Sequence, residues 1–138
     1  MEQINGWLKL CGATICATAT HLWGGMDAVL IALLWLIALD YITGVMAAVY
    51  TGSLSSKMGY RGLLRKMGIL SMVALAHLVG NAVGISTIRS LVIGFYLANE
   101  GISIVENVVA LGVPCPERLR DVLEQLRDKE GENGTDRI

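Results

Sequence analysis

The stretch "AVLIALLWLIALDYITGVMAAVY", residues 28–50, decides the fold class. From Ala28 to Leu39 it is unbroken apolar sequence, interrupted first at Asp40. About 20 consecutive apolar residues in a helix cross the hydrocarbon core of a bilayer. The segment therefore reads as a transmembrane helix. Two later blocks repeat the pattern: Ile69–Ile88, bounded by Lys66 and Arg89, and Leu91–Val113. A short turn around Ser86–Ser90 would join them as a helical hairpin. An earlier block, Trp7–Trp23, is weaker, with Thr14, Thr18, Thr20 and His21 among few large aliphatic residues. It reads either as an interfacial helix with Trp7 and Trp23 at headgroup depth or as a tightly packed fourth span.

The composition agrees. Of 138 residues, 54% are hydrophobic and 17% charged, with mean hydropathy +0.56. That is too apolar for a small soluble domain. The expected fold is an all-α integral membrane protein with three transmembrane helices, a possible fourth N-terminal helix, and an amphipathic C-terminal helix. The divisions expected are an N-terminal helix (1–25), a transmembrane core (26–113), an amphipathic helix (114–130) and a disordered tail (131–138). The N-terminus does not read as a signal peptide, because Glu2 precedes Lys9 and no compact leucine-rich core follows. A net charge of −1 provides no broad basic face for nucleic acid. Cys11, Cys16 and Cys115 have neither disulfide-framework nor metal spacing and read as free thiols.

Residues 51–68, "TGSLSSKMGYRGLLRKMG", carry Lys57, Arg61, Arg65 and Lys66 and no acid. A short, purely basic loop between two spans is expected to face the cytoplasm. The C-terminus would then be cytoplasmic as well. Lys57, Arg61 and Arg65 recur at i, i+4, i+8, which on a helix capped by Ser55 or Ser56 forms one stripe. These three and Lys66 are candidates for contact with anionic lipid, or simply mark the inner side. After Pro114 and Pro116 the chain changes character. Leu119, Val122, Leu123 and Leu126 make one apolar face of a charged cytoplasmic helix suited to self-association.

The polar residues inside the spans need explaining. A charge at mid-bilayer costs about 2.5–3.5 kcal/mol on insertion scales. The acids must therefore face protein or water. The spacing sorts them onto stripes: Asp40, Thr43, Gly44 and Ala47 on one span; Ala74, His77, Asn81 and Gly84 on the next; Asn99, Glu100, Ser103, Glu106 and Asn107 on the last. Phe95, Ile102, Val105 and Val109 cover the opposite side of that last helix. Asp40, Thr43, Gly44, His77, Asn81, Asn99, Glu100, Ser103, Glu106 and Asn107 are thus the candidates for pore lining or an oligomer interface. Three readings of the acids stay open: internal fasteners, paired with Arg89 or His77 or protonated; the lining of a water-filled path; or an ion or proton site. "GNAVG" (80–84) formally matches GxxxG, a weak signal in a Gly-rich chain. No metal-ligand, nucleophile, phosphate-loop or cofactor motif occurs, and no enzyme is expected.

Two separated segments resemble the toxin-secretion/phage-lysis holin family of small bacterial membrane proteins. Within "LDYITGVMAAVYTGSLSSKMGYRGLLRKMGIL" (39–70), Asp40, Tyr41, Thr43 and Gly44 match a D-Y-x-T-G element. Gly52, Leu54, Ser55, Ser56 and Lys57 match G-x-L-S-S-K, followed by Gly59 and the basic Arg65 and Lys66. Within "NEGISIVENVVALGVPCPERL" (99–119), Asn99, Glu100, Ser103, Ile104, Glu106 and Asn107 match N-E-x-x-S-I-x-E-N. Gly112, Pro114 and Pro116 match G-x-P-x-P. The similarity spans roughly residues 26–125. It implies a protein of the bacterial cytoplasmic membrane that oligomerises and opens lesions, releasing an endolysin or a large protein toxin. It implies no catalytic residue. Two other classes fit the residues alone: a small ion channel or transporter subunit using the intramembrane carboxylates, and a structural membrane adaptor recruiting a partner through "PERLRDVLEQLRD".

Overall fold

A computed structural model describes residues 2–135. Five helices follow one another, and among the described residues there is no strand: α1 (Glu2–Trp23), α2 (Ala28–Tyr50), α3 (Ser56–Val83), α4 (Thr87–Ala110) and α5 (Glu117–Thr135). Three of them, α2, α3 and α4, are long and apolar enough to cross a membrane. They run up, down and up. One end of the bundle carries the 51–55 turn and the end of α4, and the other carries the 24–27 and 84–86 turns. α4 is the hub, packed against α2, α3 and α5, whereas α2 and α3 touch only sparingly.

Local chemistry sets the helix ends. Asp27 caps α2, its carboxylate accepting from the Leu30 amide at 3.0 Å. Ser55 caps α3, its hydroxyl accepting from the Met58 amide at 3.2 Å. Only residues 51–55 are therefore non-helical. Most of the expected basic loop, 51–68, is instead the opening of α3, which extends its span by several turns. At the other end of α3, Gly84 takes the left-handed conformation (φ 74°) and the Ile85 amide closes on the Gly80 carbonyl at 2.8 Å. A Cβ on Gly80 would meet the Ile85 backbone oxygen at 2.7 Å. The two glycines of "GNAVG" thus build a tight helix-to-helix turn, and this turn lies earlier than the expected 86–90.

The apolar core lies toward the Asp27 end, where Leu30 and Leu33 of α2, Ile69 and Val73 of α3, and Ile93 of α4 are buried together. Trp23 packs against this cluster, and its indole donates to the Leu70 carbonyl at 2.9 Å. Outward-facing Ile31, Trp35, Ile42, Leu75 and Leu78 are exposed, as surfaces bathed in lipid would be. Apart from Trp23 at its end, α1 packs only on α3, and it is exposed along nearly all its length. Its Thr14, Thr18 and Thr20 hydroxyls each donate to a carbonyl four residues back, at 2.8–2.9 Å. That satisfies them without water. α5 folds back along α4, with Leu123 seated over Gly101; a Cβ there would lie 2.9 Å from the leucine methyl. Leu119, Val122 and Leu126 stay exposed. α5 also runs to Thr135, past the point at Gly131 where the composition suggests disorder. No proline intervenes, and an interior glycine costs a helix only about 1 kcal/mol. Residues 136–138 of that expected tail lie outside the described residues.

Candidate functional site

Three helices each bring one ionic side chain to a single point. Asp40 of α2, Lys66 of α3 and Glu100 of α4 are 8%, 7% and 1% exposed. The Lys66 ammonium donates to Oδ2 of Asp40 and to Oε2 of Glu100. The other Asp40 oxygen, Oδ1, accepts from the Asn107 amide of α4 at 3.1 Å. The same amide group lies 3.2 Å from the Thr43 hydroxyl and 3.3 Å from the Asp40 carbonyl. Thr43 in turn donates to the Leu39 carbonyl at 2.8 Å. Gly44, one position on, leaves the space that Asn107 fills.

This arrangement answers the insertion problem. An unpaired charge in the hydrocarbon is costly, and so is one buried in protein. One ammonium shared by two carboxylates, with an asparagine on the remaining Asp40 oxygen, offsets part of that penalty. It also ties together α2 and α3, which otherwise barely touch. Removing one member strands the others, typically at 3–5 kcal/mol for a buried pair.

Of the sequence candidates, Asp40, Thr43, Gly44, Glu100 and Asn107 meet here, and Ser103 lines the adjoining cleft. Others do not join them. Asn99 is half-buried, and no side-chain hydrogen bond to it is present among the described residues. Glu106 is exposed, and no ion pair to it occurs among the described residues, so the two acids of α4 diverge. His77 and Asn81 bond one another at 3.0 Å near the opposite end. Neither His77 nor Arg89 partners the buried acids.

Lys66 requires a correction. The basic stripe suggests lipid contact for it, but it points inward. Lys57, Arg61 and Arg65 share the exposed face at i, i+4, i+8, while Lys66 lies about 100° around the helix from Arg65. The sequence shows the need for a cation here, though not which of the neighbours Arg65 and Lys66 supplies it. Lys66 is the last cation before an apolar block, in a stretch from Asp40 to Glu100 that lacks any acid to pair with locally.

Asp27 went unnoticed. Its carboxylate pairs with Arg89 of α4, Oδ2 to Nη1 at 2.7 Å and Oδ1 to Nη2 at 3.1 Å. The same guanidinium donates to the Trp23 carbonyl and, at 3.3 Å, to the Gly25 carbonyl. The Arg89 hydrogen bond, with the Leu30 amide assisting, holds the Asp27 carboxyl below its usual value despite some burial. The bundle is therefore fastened twice: by this clamp at one end and by the triad toward the other.

Comparison with known proteins now places the chain. The model of the bacteriophage holin family matches residues 17–128. An uncharacterized protein of Listeria monocytogenes is 44% identical over 114 residues, covering 82% of this chain and 81% of that one. An uncharacterized 14.9 kDa protein from the nagH 3' region of Clostridium perfringens is 40% identical over 131 residues, covering 94% and 99%. A Bacillus subtilis protein, also uncharacterized, is 30% identical over 130 residues, covering 94% and 96%. No solved structure matches the chain. The family match takes in both fasteners and all three apolar spans, and it continues through most of α5. The protein thus belongs to the bacteriophage holin family.

Proposed function

We propose that the protein permeabilises the bacterial cytoplasmic membrane by self-association, releasing an endolysin or a large protein toxin, and does so without catalysis. The observation that carries this reading is the Asp40–Lys66–Glu100 triad. In a single copy the faces of α2, α3 and α4 that carry Asp40, Lys66 and Glu100 are turned inward, and the two carboxylates share one ammonium. The same faces, separated and turned toward water in an oligomer, would line a hydrophilic lesion. Water would replace the internal ion pairs, so the two arrangements differ by far less than the cost of exposing the charges to lipid. A difference of a few kcal/mol lets rising protein concentration move the population from one to the other.

The purely basic composition of the 51–68 segment supports a cytoplasmic position for that end, with the C-terminus on the same side. Exposed Lys57, Arg61 and Arg65 then meet anionic lipid headgroups. Exposed Glu106, along with Asn99 and Ser103, joins the lesion wall once the helices separate.

Timed induction in a bacterium tests the reading, with membrane potential and turbidity followed in the presence and absence of a signal-less endolysin. Sudden depolarisation after a delay, with lysis only when the endolysin is present, is expected. Slow depolarisation with the endolysin trapped inside would favour a channel subunit instead.

A further inference from the structure

The triad does not fill the space beside it. Because α2 and α3 make so little contact, a cleft of about 220 Å³ opens between them toward the basic end. Ser103 and Asn107 of α4 form its polar floor, and Val45, Ala48, Leu54 and Met58 supply apolar walls. Arg65 stands among the lining residues. It is exposed and takes part in no ion pair among the described residues. Neither nearby acid forms an ion pair with it; both are hydrogen-bonded to Lys66.

The depth of this cation is informative. Arg65 lies roughly 27 Å along α3 from Val83, at about 1.5 Å per residue. A bilayer's hydrocarbon core is about 30 Å thick. With Val83 at one boundary, the Arg65 backbone stops about 3 Å inside the other, and its long side chain covers the remaining distance to the lipid phosphates. A guanidinium forks onto phosphate oxygens with two parallel hydrogen bonds. Beyond Arg65, Arg61 and Lys57 continue the same exposed stripe outward. They repel a headgroup that ends in a cation and attract one that carries net negative charge. The cleft has room for a headgroup and glycerol, and it opens sideways between α2 and α3 for the acyl chains.

We propose that the α2–α3 cleft is a binding site for an anionic phospholipid, its phosphate on Arg65 and its headgroup over Ser103 and Asn107. The site rests on α2 and α3 spanning the membrane with the basic end at a headgroup layer, and on nothing about lysis. It also gives the structure a reason to keep two neighbouring helices apart: a lipid fills the gap.

Native mass spectrometry of the full chain in detergent tests this, with phosphatidylglycerol or phosphatidylcholine titrated in. The wild type is expected to retain one phosphatidylglycerol with about tenfold preference over phosphatidylcholine, equivalent to about 1.4 kcal/mol. Arg65→Gln loses that preference, and Arg65→Lys loses most of it, because the fork is gone. Lys57→Gln, outside the cleft, keeps most of it. Equal retention of the two lipids by the wild type, or equal losses in Arg65→Gln and Lys57→Gln, would overturn the site and leave only diffuse attraction to a charged surface. Arg65 is exposed and unpaired, so its variants retain the helical content of the wild type. A chain that lyses cells yet shows no lipid preference refutes this site alone.

Discussion

Lys66 and Glu100 lie on different spans, yet the ammonium of one is bonded to the carboxylate of the other in a site where Glu100 is 1% exposed. Neither residue has water to fall back on. Lys66→Met therefore strands two buried acids at once, and Asp40→Asn with Glu100→Gln in the same chain relieves them. Lys66→Met alone is expected to lose about 3–5 kcal/mol of stability. The triple variant recovers most of that loss. Thermal unfolding in detergent, compared across the variants, reads the difference. A single variant as stable as the wild type would show that the triad holds nothing together.

The clamp at the opposite end titrates. Asp27 has its pKa lowered in the folded protein by Arg89. Its contribution is present in full above the unfolded value, near 3.8, and is lost as pH falls through the lower folded value. Asp27→Asn keeps the helix cap, since asparagine caps about as well as aspartate, but it removes the charge. The stability gap between wild type and Asp27→Asn is expected to be constant from pH 7 to pH 5 and to shrink as the pH falls below about 4. Melting temperatures across that range check it.

The Gly80–Gly84 turn is sterically exacting. A Cβ on Gly80 runs into the Ile85 carbonyl, which is backbone and cannot rotate away. Gly80→Ala is expected to cost about 1–3 kcal/mol, in the range of overpacked sites. Gly84→Ala is expected to cost about 1–2 kcal/mol for the left-handed conformation. Gly68→Ala, whose Cβ meets nothing within 4 Å, serves as the control that carries only the helix-propensity gain of about 1 kcal/mol. Denaturant titration of the three variants ranks them.

How much of this was legible in the sequence varies with the kind of signal. The three spans follow from long apolar runs. Helical spacing sets Glu106 inward, which is exposed, and Ile102 and Val105 outward, which are buried. The inward turn of Asp40, Glu100 and Asn107 follows instead from the cost of charge in lipid. The identity of the buried cation does not. Lys66 and Arg65 are neighbours with the same charge, and only the rotation of α3 decides which points inward. That rotation is fixed by Ile69 and Val73, which share the buried side with Lys66. The Asp27–Arg89 pair is also hidden, because the partners lie 62 residues apart and meet only through the turns at both helix ends. The apolar face Leu119, Val122, Leu123 and Leu126 marks α5 as amphipathic, but its spacing does not show that Leu123 docks on Gly101 of the same chain.

That fold-back is testable. α5 is strongly charged, and its contact with α4 includes one leucine seated over one glycine. Gly101→Leu fills the seat and is expected to release α5 while leaving α2, α3 and α4 in place. Leu123→Ala does the same more mildly. Amide exchange over residues 117–129 is expected to rise at least about tenfold in Gly101→Leu, the equivalent of about 1.4 kcal/mol of lost local protection. Exchange in α2 stays unchanged. Unaltered protection of α5 would mean the contact contributes nothing.

The central claim is that separating α2 from α4 at the triad is what opens the membrane. Asn107 and Thr43 face each other there, amide to hydroxyl at 3.2 Å. Cysteines at both positions, in a chain whose Cys11, Cys16 and Cys115 are serine, place a reducible bond across that interface. The measurement is release of a trapped endolysin-sized protein from vesicles containing this variant, oxidised and then reduced. The oxidised chain is expected to insert and release nothing, and reduction is expected to start release after a delay. Release by the cross-linked chain at the rate of its reduced form would contradict the account.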